Sequence, residues 1–284
     1  MRYSLLLLIV ATSCSSTAQQ EGIGPRGELS RYTLEVPTTV RLSATRTAEL
    51  SRRNDQVEVA EAGRTHLLSA LDFPDTHVLA GDLTGDGESE ILVELFSSAS
   101  GSCYELWLPR GATYHQYDDV FCNPVSEPDG TLRTVRRDGP FSHITTYLPD
   151  EERGLRKLSR QEPLNRDFSR FSEWRQDGAM EEAIIFLGLP ECGEARVVID
   201  SVRSLRESPR GDTTGRVQGE VRVLSISEEE PFDQHWVQVQ APDGSEGWLL
   251  PEELGDIGAA AMRHCRARST ISGDAKKPLR QKLQ

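Results

Sequence analysis

The sequence predicts a mainly β protein: an antiparallel β-rich N-terminal module with one Asp-rich loop, a short helical connector, and a small C-terminal β-barrel. Three observations carry this prediction. Most apolar residues fall in short β-branched or aromatic runs of alternating polarity, separated by Gly, Asp, Pro or Ser. A helical period shows in a single stretch, residues 165–189. Near the C-terminus, His235-Trp236-Val237-Gln238-Val239 and Glu246-Gly247-Trp248-Leu249-Leu250 flank a turn at Asp243-Gly244, the pattern of a β-hairpin.

The length of 284 residues predicts about two domains. A net charge of −13 argues against nucleic acid as a partner, because phosphate binding needs a basic footprint.

The chain begins with a secretory signal over 1–18. Met1-Arg2 is the basic start, residues 5–11 are apolar, and Ser13-Cys14-Ser15-Ser16 is a small-residue end; the apolar run is too short to span a membrane. Ala11-Thr12-Ser13-Cys14 resembles a bacterial lipoprotein box, with Ala11 where leucine is usual. That resemblance implies lipidation of Cys14, outer-membrane retention on the periplasmic side, membrane contact through the lipid alone, and a tether over 19–30. Ordinary cleavage after Ala18 is the alternative.

Either cleavage leaves Cys103, Cys122, Cys192 and Cys265, an even count that suggests two disulfides in an exported chain. Three connectivities are open, and proximity within domains favours Cys103–Cys122 and Cys192–Cys265.

Residues 31–164 read as one β-rich module. Tyr32-Thr33-Leu34-Glu35-Val36 and Val57-Glu58-Val59 open it, Ile91-Leu92-Val93-Glu94-Leu95-Phe96 is apolar enough for an interior strand, and Tyr104-Glu105-Leu106-Trp107-Leu108 alternates. Over 165–190, Phe168, Phe171 and Trp174 recur every third residue and Met180, Ile184, Ile185 and Leu187 follow an Asp177-Gly178 interruption, which predicts a helical connector. The barrel is expected over 191–256. Residues 257–284 are basic, with Arg263, Arg266, Arg268, Lys276, Lys277, Arg280 and Lys282 against Asp274, and read as a disordered solvated tail.

The sharpest local motif is Asp82-Leu83-Thr84-Gly85-Asp86-Gly87-Glu88-Ser89-Glu90. Side-chain oxygens at positions 1, 3, 5 and 9, the carbonyl of Glu88 at position 7, and a glycine at position 6 suit a calcium ion, which takes six to eight oxygens. Position 12 is Val93, so this is no EF-hand. Residues 77–95 resemble the short calcium loop of FG-GAP and VCBS-type β modules, with Thr84 and Glu90 departing from the usual Asn/Asp and Asp. More loosely, the stretch to about Pro163 is similar to periplasmic single-loop modules, some of which inhibit lysozyme-type peptidoglycan hydrolases. The plain alternative is an acidic hairpin turn without metal.

The C-terminal segment resembles the bacterial SH3 (SH3b) domains over residues 195–254. The likeness rests on Ser204-Leu205-Arg206, the strand around Gly219, His235-Trp236-Val237-Gln238-Val239 and Gly247-Trp248-Leu249. The Gly247-Trp248 step lets a backbone pass closely before the strand resumes. An acidic insertion, Glu228-Glu229-Glu230, departs from the family. The resemblance implies binding of cell-wall peptides or partner proteins, with Trp236 and Trp248 as groove candidates and Arg206 as a carboxylate partner; the alternative places both tryptophans in the barrel core.

Catalytic constellations are poor: the six histidines are scattered, there is no Gly-x-Ser-x-Gly elbow, and no pair of the many carboxylates stands out as acid and base, which leaves a glycosidase-like use of two acids unsupported but open. The expectation is a non-enzymatic envelope binding protein that docks peptidoglycan or a wall-associated protein. An inhibitor of, or immunity protein against, a lysozyme-type cell-wall hydrolase, acting through the N-terminal module, is the second expectation.

Overall fold

Short alternating runs give the chain its strands: among the described residues 62% are strand and 5% helix. The computed structural model describes residues 29–71, 75–150, 152–227, 235–259, 261–262 and 265. The signal with Cys14, the tether up to residue 28, the Glu228-Glu229-Glu230 insertion and residues 266–284 lie outside the described residues.

The order is β1 (Ser30–Thr33), β2 (Thr38–Arg41), β3 (Thr47–Arg53), β4 (Gln56–Glu61), β5 (Arg64–Ala70), β6 (His77–Gly81), β7 (Glu90–Ser98), β8 (Gly101–Arg110) and β9 (Thr113–Cys122). Next come β10 (Val125–Ser126), β11 (Leu132–Asp138), β12 (Phe141–Asp150), β13 (Gly154–Pro163), β14 (Phe168–Trp174) and β15 (Met180–Phe186), then β16 (Arg196–Arg206), β17 (Thr213–Ile226), β18 (Val237–Gln240) and β19 (Glu246–Leu249).

β2 to β5 form a four-stranded meander. Its β3–β4 turn is Asn54-Asp55, both with positive φ (49° and 59°), a combination that matches the twist of a two-residue hairpin and that Asn and Asp tolerate. A central sheet has the order β1-β6-β7-β8-β9, and β10 to β15 form a third sheet in sequence order. β7 shows why the central sheet is in the middle. Ile91 and Val93 pack with Leu50, Val57 and Val59 of the meander, whereas Leu92 packs with Leu132, Tyr147 and Leu155 of the third sheet. A strand covered on both faces needs a continuous apolar run rather than alternation, which is what Ile91-Leu92-Val93 supplies.

β16 to β19 make a closed barrel, as expected, with antiparallel neighbours throughout. Its core joins Val197, Ile199, Leu205, Val221, Val239 and Leu249.

Three domain expectations are corrected. Residues 165–190 are not a helical connector but the hairpin β14–β15, which completes the third sheet. The three-residue spacing of Phe168, Phe171 and Trp174 imitated a helix. The deciding signal was Asp177-Gly178: Gly178 has φ 83° and Arg175 N–H bonds the Ala179 carbonyl at 2.8 Å, closing a hairpin turn. In-register Phe168 and Phe186 stack with centroids 5.8 Å apart and enter the barrel core with Ile184.

The boundary at 164 therefore falls inside a continuous sheet. Nor does the barrel unit stop at 256. Asp256 Oδ1 accepts the Ala259 N–H at 2.8 Å, capping a short helix that includes 257–259 and 261–262. Ile257 and Ala261, four apart and so on one helix face, bury against the barrel.

Candidate functional site

The Asp82 loop joins β6 to β7 at one end of the central sheet. Gly85 and Gly87 sit at φ 74° and 87°, the left-handed region that glycine takes without strain. Asp82 accepts the Gly85 N–H with one carboxylate oxygen and the Gly87 N–H with the other, at 3.1 Å for Gly87. Asp86 Oδ1 accepts the Glu88 N–H at 2.7 Å. Glu90 is buried; its Oε2 accepts the Leu83 and Thr84 N–H groups at 2.5 and 3.3 Å, and its Oε1 accepts the Thr84 hydroxyl at 3.0 Å. Burial pushes the Glu90 carboxyl up to about 7, against the pull of the Leu83 N–H and Thr84 hydroxyl, and the nearby charges of Asp86 and Asp82 push the same way.

The loop is also held from outside by a residue that spacing did not reveal. Arg46, in the β2–β3 turn, donates to Glu88 at 2.6 Å and to both oxygens of Glu61 on β4 at 2.6 and 2.9 Å. The Glu61 hydrogen bonds raise the guanidinium pKa further, and the same contact holds the Glu61 carboxyl below its ordinary range. Ser89 N–H reaches the Leu42 carbonyl at 2.6 Å. Asp82, Thr84, Asp86, Glu88 and Glu90 are thus brought into one small loop. In this arrangement the turn is closed by its own N–H and hydroxyl donors, and among the described residues no three His, Cys, Asp or Glu side chains converge as a metal site.

Beside this loop runs a cleft between the central and third sheets. A smaller pocket of about 460 Å³ touches Thr84, Asp86 and Glu90 and shares Arg110 and Asp150 with a neighbouring cleft of about 950 Å³. In the larger cleft, Asp119 binds Lys157 Nζ at 2.9 Å and accepts the Tyr147 hydroxyl at 3.3 Å, while the Tyr117 hydroxyl donates to the Leu155 carbonyl at 3.2 Å. Burial pushes the Tyr117 phenol up to about 12, with the Asp119 charge adding, so it stays a donor at neutral pH. Trp174 also lines this cleft. Sequence reasoning missed this cleft because Asp119 and Lys157 lie on β9 and β13 and meet only through the packing of two sheets.

In the barrel, the three nominated binding residues do come together. Trp236 is buried, 6% exposed, whereas Arg206 and Trp248 are half-buried. The Arg206 guanidinium carbon stands 5.4 Å from the Trp236 ring centre, a cation–π distance. Arg206 is the register partner of Trp248, the one pair through which β19 meets β16. Its NH1 donates to the Gly211 carbonyl at 3.3 Å, and no carboxylate of the described residues is its ion-pair partner. Gly247 permits the closure: a Cβ there would lie 2.7 Å from Leu205 Cβ and 3.0 Å from the Arg206 carbonyl oxygen.

Both disulfides favoured by proximity are present, Cys103–Cys122 across β8 and β9 and Cys192–Cys265. Such bonds persist in oxidising compartments, which places the chain outside a reducing cytosol. Among the described residues no helix is long and apolar enough to cross a membrane. No protein family, curated protein or solved structure matches the chain.

Proposed function

We propose that this chain is an exported, non-enzymatic binding protein of the bacterial envelope. It is anchored as an outer-membrane lipoprotein through Cys14, and its C-terminal barrel serves as an SH3b-type module that docks peptidoglycan or a wall-associated protein. The observation that supports this most is Arg206: a guanidinium held by stacking on Trp236, beside the half-buried Trp248, with no carboxylate of the described residues paired to it. Wall peptides carry free carboxylates, and a guanidinium so placed offers them a charge-assisted, two-pronged hydrogen bond. Trp236 is the platform under the arginine and Trp248 the face open to a ligand. Purified sacculi should retain the wild-type protein and release most of an Arg206→Ala variant. Failure of the wild type to bind would overturn docking to peptidoglycan.

A second reading draws on the cleft of the N-terminal module. Its mixed charge, with Trp174 and Tyr117 on the walls, suits a polar loop or glycan of a lysozyme-type hydrolase, and inhibition would follow from occupation of that enzyme's site. A lytic assay with the full chain tests it: inhibition that Trp174→Ala or Lys157→Ala removes favours this reading, and absence of inhibition ends it. The full chain is required because the third sheet runs through residue 164. Calcium belongs to either reading as a weak ligand of the Asp82 loop, whose carboxylates can accept the loop N–H groups and still offer lone pairs to a cation.

A further inference from the structure

Three β-hairpins wall the larger cleft. β9 supplies Gln116 and Tyr117, the β12–β13 turn supplies Arg153, and the β14–β15 turn supplies Gln176, beside Trp174 at the end of β14. The two turns are closed by their own bonds. Asp150 Oδ1 accepts the Glu152 and Arg153 N–H groups at 3.1 and 2.9 Å, and Asp177 Oδ1 accepts the Ala179 N–H at 2.9 Å. The walls are also tied to one another: Arg110 of β8 donates to the Glu152 carbonyl at 2.8 Å, and Arg156 of β13 to the Trp174 carbonyl at 3.4 Å. The cleft is therefore formed before a ligand arrives, which spares the cost of ordering its walls.

Around this cleft, acidic side chains equal lysines and arginines in number. Several are matched in space: Lys157 with Asp119 at 2.9 Å, Arg156 with Asp150 at 3.9 Å, and Arg175 with Glu181. A site for an ion keeps an excess of the opposite sign; here a charged ligand meets as much repulsion as attraction. Hydrogen-bonding capacity is what remains unspent. The Arg153 guanidinium, the Gln116 and Gln176 amides and the Trp174 indole N–H have no partner among the described residues. The amides offer donors and acceptors, the guanidinium and the indole donors alone. Beside them stand two half-buried aromatic rings, Tyr117 and Trp174.

We infer that this cleft is a binding site for an uncharged oligosaccharide. A sugar ring has an apolar face of C–H groups and a rim of hydroxyls, each both donor and acceptor. An aromatic ring covers such a face while its polar edge stays in reach of the rim, and the free amides and guanidinium answer the hydroxyls. Size points to a chain of sugars. The cleft of about 950 Å³ lies at the upper end of the roughly 300–1,000 Å³ range of ligand pockets. The smaller pocket of about 460 Å³ adjoins it through Leu108, Arg110 and Asp150. This assignment goes beyond both readings above: the ligand is a free sugar chain rather than an enzyme surface, and it needs neither Arg206 nor a carboxylate.

Titration of the isotope-labelled full chain with cellotetraose, maltotetraose and tetra-N-acetylchitotetraose, followed by nuclear magnetic resonance, tests this. The chain has four tryptophans, and the indole N–H resonance missing from Trp174→Phe identifies that of Trp174. At least one of the three sugars is expected to shift it while the Trp236 and Trp248 resonances stay in place. Trp174→Ala should weaken that binding at least tenfold, and Arg153→Ala about threefold. Arg153 is exposed on its turn, so its variant keeps the test valid if Trp174→Ala disturbs the fold. Tetragalacturonate and fully deacetylated chitotetraose, one anionic and one cationic, should bind more weakly than the best neutral sugar. A Trp174 resonance unmoved by all three neutral sugars, affinity unchanged in both variants, or tighter binding of a charged sugar would overturn the inference. So would shifts confined to Trp236 and Trp248, which would place the sugar on the barrel. Retention on sacculi reads the barrel separately, and its failure leaves each of these outcomes as it stands.

Discussion

Arg206 and Trp236 meet with 5.4 Å between the guanidinium carbon and the indole centre, at the register position where Arg206 faces Trp248 and the barrel closes. Two of the three residues therefore have separable duties. Trp236 is core as well as platform, so Trp236→Ala should cost about 3–5 kcal/mol of stability. Arg206 is half-buried and stacked, and Arg206→Ala should cost only about 0.5–1 kcal/mol while removing retention on sacculi. Urea denaturation beside the retention assay checks the separation; loss of stability comparable to that of Trp236→Ala would make Arg206 a structural residue.

Gly247 gives a second, purely steric prediction. A methyl group there meets Leu205 Cβ at 2.7 Å and the Arg206 carbonyl oxygen at 3.0 Å, neither of them a flexible chain end. Leu205 is 1% exposed and cannot swing outward. Gly247→Ala should therefore destabilise the barrel by about 1–3 kcal/mol, the range for inserting a methyl into a packed site. A denaturation midpoint equal to wild type would show that β16 and β19 separate without cost.

Legibility in the sequence followed the range over which a signal acts. Strand content, the β7 interior run, the Asp243-Gly244 hairpin and the close step at Gly247 were legible because alternation and turn chemistry are local. The β14–β15 hairpin is not legible because Phe168, Phe171 and Trp174 satisfy a three-residue spacing, and an Asp177-Gly178 turn between strands looks the same in sequence as a break between helices. The short helix after Asp256 was lost in a basic, aromatic-poor stretch where two apolar residues, Ile257 and Ala261, carry its packing. Asp82, Asp86 and Glu90 were legible as a loop motif. Arg46 was not, because its grip on Glu88 and Glu61 comes from the fold of the meander and leaves no spacing to read.

Calcium binding to the Asp82 loop makes a quantitative prediction. A ligand of the weak extracellular class, with a Kd of about 1 mM, adds about 1.4 kcal/mol at 10 mM. That corresponds to a rise in melting temperature of about 3–5 °C for a domain of this size. Asp82→Ala should abolish the rise, and magnesium, which demands a tighter octahedral shell, should not reproduce it. Differential scanning calorimetry with and without each ion is the measurement, and an unchanged wild-type melt in calcium would leave residues 82–90 a structural turn.

The buried carboxyl of Glu90 predicts how stability depends on pH in chelator-treated buffer. Burial raises its pKa from the ordinary 4.5 to about 7. Between those values the folded protein holds a proton that the unfolded chain has lost, so stability from this group is present at low pH and declines as pH rises, levelling off above about 7. Glutamine at 90 keeps an oxygen for the Leu83 and Thr84 N–H groups and offers an amide to the Thr84 hydroxyl oxygen, but it has no proton to lose. Glu90→Gln should therefore match wild type near pH 5 and become progressively more stable up to pH 8. The gain reaches at most about 3 kcal/mol, taking about 1.4 kcal/mol per pKa unit. Urea midpoints of both proteins at pH 5, 6, 7 and 8 give the answer, since every other titrating group is common to the pair. Parallel curves would mean that Glu90 is already ionised inside the fold at pH 5, with the Leu83 and Thr84 donors outweighing its burial.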